Sequence, residues 1–155
     1  MRFLSQKLPG VFLIEPEPFI DNRGLFRRHF CQKEFAEHDI SVEVKQANIS
    51  ENRRRHTLRG LHFQRPPFRE GKLLSCVKGA IFDVVIDLRP DSPAYLQWIS
   101  LELSDENRLS LYLPPGCANG YITKSPEVKQ FTEAVARVGR FWLERDEPVA
   151  ASSPA

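Results

Sequence analysis

The chain of 155 residues is long enough to bury one hydrophobic core and too short for two domains of ordinary size. Its formal net charge of +2, with acidic and basic residues mixed along the sequence, gives no reason to expect binding to nucleic acid or to an anionic membrane. Twelve prolines, eight glycines and eleven phenylalanines indicate many turns around an aromatic-rich core, which favours an all-β fold.

The three cysteines, Cys31, Cys76 and Cys117, lack the close spacing of a zinc site. No signal peptide follows Met1, and no apolar run is long enough to span a bilayer. The sequence therefore predicts a cytoplasmic protein with reduced cysteines, all three of them small core side chains.

Short alternating or β-branched runs recur along the chain between turns rich in proline, glycine, aspartate and asparagine. They predict one short helix over 33–37 and strands over 11–14, 42–49, 58–64, 73–77, 80–88, 96–103, 109–113, 121–123 and 129–135. Short strands at near-regular intervals are typical of a β-sandwich or jelly roll. We expect a single all-β domain over 1–147, with one or two short helices, and a flexible tail over 148–155.

The predicted strand over 58–64 carries the first candidate site. Its alternation places His62 in a half-buried strand, and imidazole is suited to proton transfer near neutral pH. Gly60 permits a close approach of backbone or ligand, Arg59 suits a phosphate, and Lys72 could hold developing negative charge. A structural histidine with satisfied hydrogen bonds is the alternative, and the spacing leaves both possibilities open.

A metal site in a β-barrel of the cupin type requires two closely spaced histidines and a third on a later strand. Beside His62, Gln64 stands where the second histidine would lie, and Asn119 stands where the third would lie. The sequence therefore predicts no metal.

Asp83 and Asp87 lie on one face of an apolar predicted strand, since they are separated by an even number of residues. A carboxylate in such a strand needs a partner. We expect Asp83 to orient the candidate base or lysine, and Asp87 to form a salt bridge with Arg89 or Arg59.

Many short motifs match those of one enzyme family in the same order. They are Asp21-x-Arg23-Gly24-x-Phe26, Gln46-x-Asn48, Leu58-Arg59-Gly60-Leu61-His62-Phe63-Gln64, Gly71-Lys72-Leu73, Phe82-Asp83-Val84-Val85-Ile86-Asp87-Leu88-Arg89, Ser92-Pro93, Trp98, Leu103-Ser104-x-Glu106-Asn107 and Pro114-x-Gly116-x-Ala118-x-Gly120. Because these motifs span residues 8–125 almost without gaps, the chain resembles the dTDP-4-dehydrorhamnose 3,5-epimerase family.

The resemblance implies a cupin-type jelly roll that forms a homodimer and uses neither metal nor cofactor. The implied substrate is a nucleotide-linked 4-keto-6-deoxy sugar, which loses a proton next to its ketone and regains one on the opposite face. Carried over by position, His62 is the base, Lys72 stabilises the enolate and Asp83 is a supporting carboxylate. This agrees with the physical requirement that an enolate oxygen meet a cation or donor in a dry pocket.

The resemblance also implies a substrate-binding set. Arg23 and Arg59 would hold the diphosphate, Phe26 would flank the base, and Gln46 and Asn48 would line the site. The other predicted substrate-binding residues are Arg28, Asn119, Tyr121 and Thr132. In the related enzymes the residues at Arg23 and Phe26 come from the neighbouring subunit, so a homodimer would share its sites.

The chain departs from the family pattern at several positions. The family's acid, a tyrosine, is Thr132 here, so Tyr121, Tyr112 or a bound water would have to serve as acid. A family histidine is Asn119, and a glutamate that would accept from the nucleotide base is Arg28. The aspartate that partners the family's catalytic histidine has no clear counterpart.

The sequence leaves three functions open. The first is an epimerase acting at C3, C5 or both. The second is a 3,4-ketoisomerase of the same substrate class, which needs no acid on the opposite face. The third is a nucleotide-sugar-binding protein that has lost turnover, for which Thr132 argues and against which His62, Lys72 and Asp83 argue.

Overall fold

The computed structural model describes residues 1–123, which form ten strands and one short helix. Thr132, the predicted strand over 129–135, the predicted domain end at 147 and the predicted tail over 148–155 lie outside the described residues. The domain boundary therefore stays a prediction.

The elements follow one another in this order: β1 (Arg2–Ser5), β2 (Phe12–Glu15), β3 (Phe19–Asp21), β4 (Gly24–Phe26), α1 (Gln32–Ala36), β5 (Leu58–His62), β6 (Lys72–Ser75), β7 (Ala80–Asp87), β8 (Trp98–Ser104), β9 (Ser110–Leu113) and β10 (Cys117–Thr123).

Eight of these strands form two four-stranded antiparallel sheets, with the orders β1-β2-β9-β6 and β5-β10-β7-β8. One buried cluster joins them, because Leu111 and Leu113 of the first sheet pack with Val85, Leu103 and Cys117 of the second. Within residues 1–123 the remaining strands, β3 and β4, pair only with each other. Two antiparallel sheets around one apolar core are the architecture of a jelly roll, so the all-β prediction is confirmed.

The first sheet is also covered on its outer face. Phe35 of α1 packs there with Ile14, Ile40 and Tyr112. Leu111 and Tyr112 belong to different clusters because successive strand residues point to opposite faces. All four residues of β9 are consequently buried, and the Tyr112 side chain lies on the opposite face of the sheet from the core.

Several predicted elements are confirmed within one to three residues, notably the helix and the strands over 80–88, 96–103 and 109–113. The strand predicted over 42–49 is wrong: that segment forms no strand and is mostly exposed. Its alternation is weak. A strand also needs a hydrogen-bonded neighbouring strand, and a local sequence pattern does not show whether one is present. Cys76 and Cys117 are buried as expected, whereas Cys31, just before α1, is only half-buried.

Across residues 1–123 the structure contains no helix with the length and apolar character needed to cross a membrane.

Candidate active site

An irregularity in the pairing of β5 with β10 builds one side of the site. His62 lies opposite Asn119, and Arg59 lies opposite Tyr121, so β5 contains one extra residue between the two pairs. Such a bulge places Arg59 and His62 on the same face, although residues three apart in a regular strand point to opposite faces.

Gly60 makes this bulge possible. Its φ is +114°, and a Cβ atom on it would lie 2.5 Å from the Cα atom of Gly120. Only glycine can combine this backbone conformation with so close an approach of two strands. The expectation that Gly60 serves a close backbone approach is confirmed.

The face that carries His62 points between the two sheets. On β10, Asn119 and Tyr121 share this face and lie opposite Val85 and Asp83 of β7 respectively. Val85 belongs to the core between the sheets. The polar residues on this face therefore lie next to the apolar core, towards the ends of β5 and β6.

Lys72, the first residue of β6, reaches these residues from the opposite sheet. Its Nζ donates to the backbone carbonyl of His62 at 3.2 Å and to Asn119 Oδ1 at 3.4 Å. Glu70 lies 3.8 Å from the same ammonium group, whose side chain is 21% exposed. The lysine is thus held next to the histidine and faces the site rather than bulk solvent.

Asp83 is the buried carboxylate of the site. It is 0% exposed, and its Oδ1 accepts a hydrogen bond of 3.4 Å from Asn119 Nδ2. Within residues 1–123 its Oδ2 has no hydrogen-bond partner. Burial raises the pKa of Asp83 to about 7, against the opposing effects of Asn119, the Val84 amide and the Lys72 charge. Asn119 lies between Asp83 and Lys72, and its contact with substrate stays a prediction.

A second network surrounds Tyr121. Its hydroxyl donates to Ser50 Oγ at 2.9 Å and accepts from Asn52 Nδ2 at 3.4 Å. Asn52 Oδ1 in turn accepts from Arg59 Nε at 2.7 Å. Ser50 and Asn52 were not predicted, because nothing in a polar loop indicates which strand it will contact.

His62 is exposed, so the prediction of a half-buried strand is wrong in its burial. Four of the five residues of β5 are exposed, and only Leu61 is half-buried. The physical reason is that, among the strands of residues 1–123, β5 is the outermost strand of its sheet.

Arg23 and Phe26 lie on the separate hairpin formed by β3 and β4. Arg23 is paired with Asp21 at 2.5 Å, and its side chain is 83% exposed. Phe26 is 76% exposed. The structure therefore does not bring either residue to the site of its own chain.

Arg28, Gln46 and Asn48 lie outside the strands and the helix. Arg28 forms an ion pair with Glu34 of the helix. Gln46 and Asn48 are exposed in the irregular segment before β5. Thr132 lies outside the described residues.

Asp87 has the structural role that was predicted. Its carboxylate is 0% exposed, and it accepts hydrogen bonds of 2.6 Å from Arg89 Nη2 and of 2.6 Å from Ser92 Oγ. The expected salt bridge with Arg89 is confirmed.

In the part of the chain from residue 1 to residue 123, the structure contains no cluster of three or more His, Cys, Asp or Glu side chains suited to holding a metal ion.

The fold and site together define the class of protein. It is an all-β jelly roll of the cupin type, in which an ammonium group joins the backbone of an exposed histidine to an asparagine that binds a buried carboxyl. An exposed base beside a fixed cation suits proton transfer next to a carbonyl group.

Comparison with known proteins identifies the family. The family model for dTDP-4-dehydrorhamnose 3,5-epimerase matches residues 5–147, and the chain belongs to this family. The Sinorhizobium fredii dTDP-4-dehydrorhamnose 3,5-epimerase is 45% identical over 123 residues, which are 79% of this chain and 63% of that protein. The Shigella flexneri enzyme of the same name is 38% identical over 148 residues, 95% of this chain and 79% of that one.

Solved structures agree with these relatives. The dTDP-4-dehydrorhamnose 3,5-epimerase of Bacillus anthracis, crystallised with TDP and PPi bound, matches with a TM-score of 0.77 at 36% identity. The match covers 81% of this chain and 71% of that one. The chain thus spans between about three fifths and four fifths of the length of these relatives.

Proposed function

We propose that this protein is an epimerase of a nucleotide-linked 4-keto-6-deoxy sugar in deoxysugar biosynthesis, acting at C3, C5 or both. The observation that carries the proposal is the pair formed across the two sheets by His62 and Lys72, with 3.2 Å between Lys72 Nζ and the His62 carbonyl oxygen. Family membership supports the same reaction.

The mechanism follows from what these side chains offer. The His62 imidazole removes the proton from the carbon next to the ketone. Negative charge then develops on the ketone oxygen, where the Lys72 ammonium stabilises it. Asn119 holds this ammonium in place by accepting one of its hydrogen bonds, and Asp83 holds Asn119. Epimerisation is complete when a proton returns to the same carbon from the opposite face of the sugar ring.

Tyr121 is the proposed donor of that proton, in place of the family tyrosine that Thr132 replaces. The Tyr121 side chain projects from the same face of the β-sheet as the side chains of His62 and Asp83. Tyr112 is on the outer face of the other sheet, which argues against it as the acid.

The proposed binding set is divided between two subunits. Arg59 would hold the diphosphate from its own chain, while Arg23 and Phe26 of the β3–β4 hairpin would reach the site of the neighbouring copy. Gln46 and Asn48 would line the sugar pocket. Arg28 is tied to Glu34 and would contact the nucleotide base only after leaving that ion pair.

The exposed apolar surface of the hairpin supports the homodimer. Phe19, Ile20 and Phe26 are each at least 66% exposed, and Leu25 is 38% exposed. Adjacent apolar side chains on a hairpin that pairs with neither main sheet are typical of a surface that a second subunit covers. The reaction as proposed uses neither metal nor cofactor, involves no nucleic acid or membrane, and takes place in the cytoplasm.

Incubation with dTDP-4-keto-6-deoxyglucose in deuterated water tests the proposal. We expect deuterium at C3, C5 or both, with inversion of that centre, measured by NMR. His62→Asn should abolish the exchange, whereas His56→Asn, at an exposed histidine whose left-handed backbone asparagine tolerates, should leave it unchanged. A migrated ketone would instead identify a ketoisomerase, and unchanged sugar bound tightly would identify a binding protein.

A further inference from the structure

Asn52 connects two site side chains that come from different strands. Its Oδ1 accepts from Arg59 Nε of β5 at 2.7 Å, and its Nδ2 donates to the Tyr121 hydroxyl of β10 at 3.4 Å. Asn52 is half-buried in a segment without regular structure. Both ends of one amide are therefore occupied by groups of the proposed site.

We propose that Asn52 is a positioning residue for two groups of the site. It fixes the guanidinium group of Arg59, which binds the diphosphate, and the phenol of Tyr121, which returns the proton. The inference rests on the proposed function and adds to it a residue that contacts neither the base nor the lysine.

The contact with Arg59 determines how the guanidinium group is presented. Nε is engaged by Asn52, and within residues 1–123 it is the only nitrogen of Arg59 with a hydrogen-bond acceptor. The two terminal nitrogens therefore keep their donors for an anionic ligand. A planar guanidinium held through Nε loses little conformational freedom when it binds a diphosphate.

In the contact with Tyr121, Asn52 binds the phenol oxygen and not the phenol proton. Tyr121 donates its own proton to Ser50 Oγ, so Asn52 Nδ2 donates to the phenol oxygen. A donor to that oxygen stabilises a phenolate more than a phenol. Asn52 therefore favours release of the proton to the substrate carbon and supports the oxygen afterwards.

The segment around Asn52 is held by other bonds, so its loss should not detach the loop. Thr57 N donates to Thr123 Oγ1 at 2.9 Å, and His56 N donates to the Thr123 carbonyl at 3.3 Å. The Thr57 hydroxyl also donates to the Arg54 carbonyl at 2.8 Å. Thr57→Val, which removes that hydroxyl, is a matched control for loosening the loop.

Two substitutions separate the two contacts. Asn52→Ala removes both, whereas Tyr121→Phe removes the contact with the phenol and leaves the contact with Arg59. We expect Asn52→Ala to weaken dTDP binding about tenfold, the effect of losing one hydrogen bond to a charged group, and to lower kcat. Tyr121→Phe should bind dTDP like the wild type, and adding Asn52→Ala to it should lower dTDP affinity without a further loss in kcat.

Calorimetry with dTDP and with thymidine, together with exchange kinetics, measures these effects. Thymidine lacks phosphates, so its binding should not change in any variant. In an Arg59→Ala background, Asn52→Ala should cause no further loss of dTDP affinity.

The inference is overturned if Thr57→Val causes the same losses as Asn52→Ala, since the residue would then only hold the loop. It is also overturned if Asn52→Ala leaves both dTDP affinity and kcat unchanged in an enzyme that exchanges deuterium. Absence of exchange in the wild type would overturn the proposed function and the Tyr121 half of this inference, while the dTDP measurements would still decide the Arg59 half.

Discussion

Asn119 Nδ2 donates to Asp83 Oδ1 at 3.4 Å in the interior of the jelly roll, and the second oxygen of this carboxyl group has no partner among residues 1–123. The same Asn119 accepts from Lys72 Nζ through its Oδ1. An uncharged amide therefore separates the ammonium group from a carboxyl group whose pKa burial raises to about 7. This arrangement links the protonation of Asp83 to the stability of the fold.

Asp83→Asn should reduce the dependence of stability on pH. In the folded state the carboxyl keeps its proton up to about pH 7, whereas the ordinary value is 3.8, so the unfolded state binds fewer protons between these limits. The free energy of unfolding consequently falls as pH rises through this window, by about 4 kcal/mol from this group. Denaturant unfolding at pH 4.5 and pH 8 measures the difference between the variant and the wild type.

Asp91→Asn, at an exposed turn, is the control and should retain the wild-type pH dependence. If Asp83→Asn also retained the wild-type pH dependence, the Asp83 carboxyl would not titrate between its ordinary pKa and the raised pKa of the folded state.

Arg89→Ala should destabilise the fold by about 3–5 kcal/mol at neutral pH, because it leaves the buried charge of Asp87 without its main partner. Burial raises the pKa of Asp87, but hydrogen bonds from Arg89 and Ser92 outweigh this effect and hold the pKa below its usual value. The Asp87–Arg89 pair stabilises the fold at pH values above the ordinary pKa of an aspartate, and this stabilisation is lost as pH falls. Thermal unfolding at pH 7 and pH 3 should therefore show a smaller loss in acid. Arg69→Ala, at an exposed position, should change little at either pH.

Gly60→Ala should be far more damaging than Gly79→Ala. Both glycines have positive φ, at +114° and +75°, so the backbone strain is common to the two substitutions. At Gly60 the new Cβ would also overlap Gly120 Cα, whereas at Gly79 no atom of residues 1–123 lies within 4 Å. We expect Gly79→Ala to cost about 1 kcal/mol and Gly60→Ala to exceed that several-fold, measured by denaturant unfolding. Equal costs would show that the overlap is relieved by movement of the strands.

Replacing Phe19 and Phe26 together by serine should weaken the proposed dimer. The two residues are paired across the hairpin and are 66% and 76% exposed. Loss of two aromatic anchors from an interface should raise the dimer dissociation constant by about 100-fold or more. Analytical ultracentrifugation of the wild type and the double variant measures it.

Val77→Ser, at another exposed apolar position, is the control and should leave the dimer intact. A wild type that sediments as a monomer at every concentration would contradict the shared site.

Local patterns in the sequence were sufficient for the overall class and for part of the site. Turn residues at short intervals predicted the all-β fold, and the pairing of Asp87 with Arg89 follows from their closeness in the chain. The ordered motifs predicted the family, and they included His62, Lys72 and Asp83, which the structure brings to one region. The segment over 42–49 was predicted wrongly because its alternation suggested a strand, whereas a strand exists only where another strand pairs with it.

Tertiary structure decided which side chains share a face. One extra residue in β5 brings Arg59 and His62 to the same side, and the register of β10 adds Tyr121 to them, while Tyr112 is directed to the other side of its sheet. Asn52 joins this group from an irregular loop. The sequence by itself determined the strand periods and the motif chemistry because these depend on near neighbours in the chain. The bulge, the register and the loop contact depend on pairings between distant residues, which only the folded structure establishes.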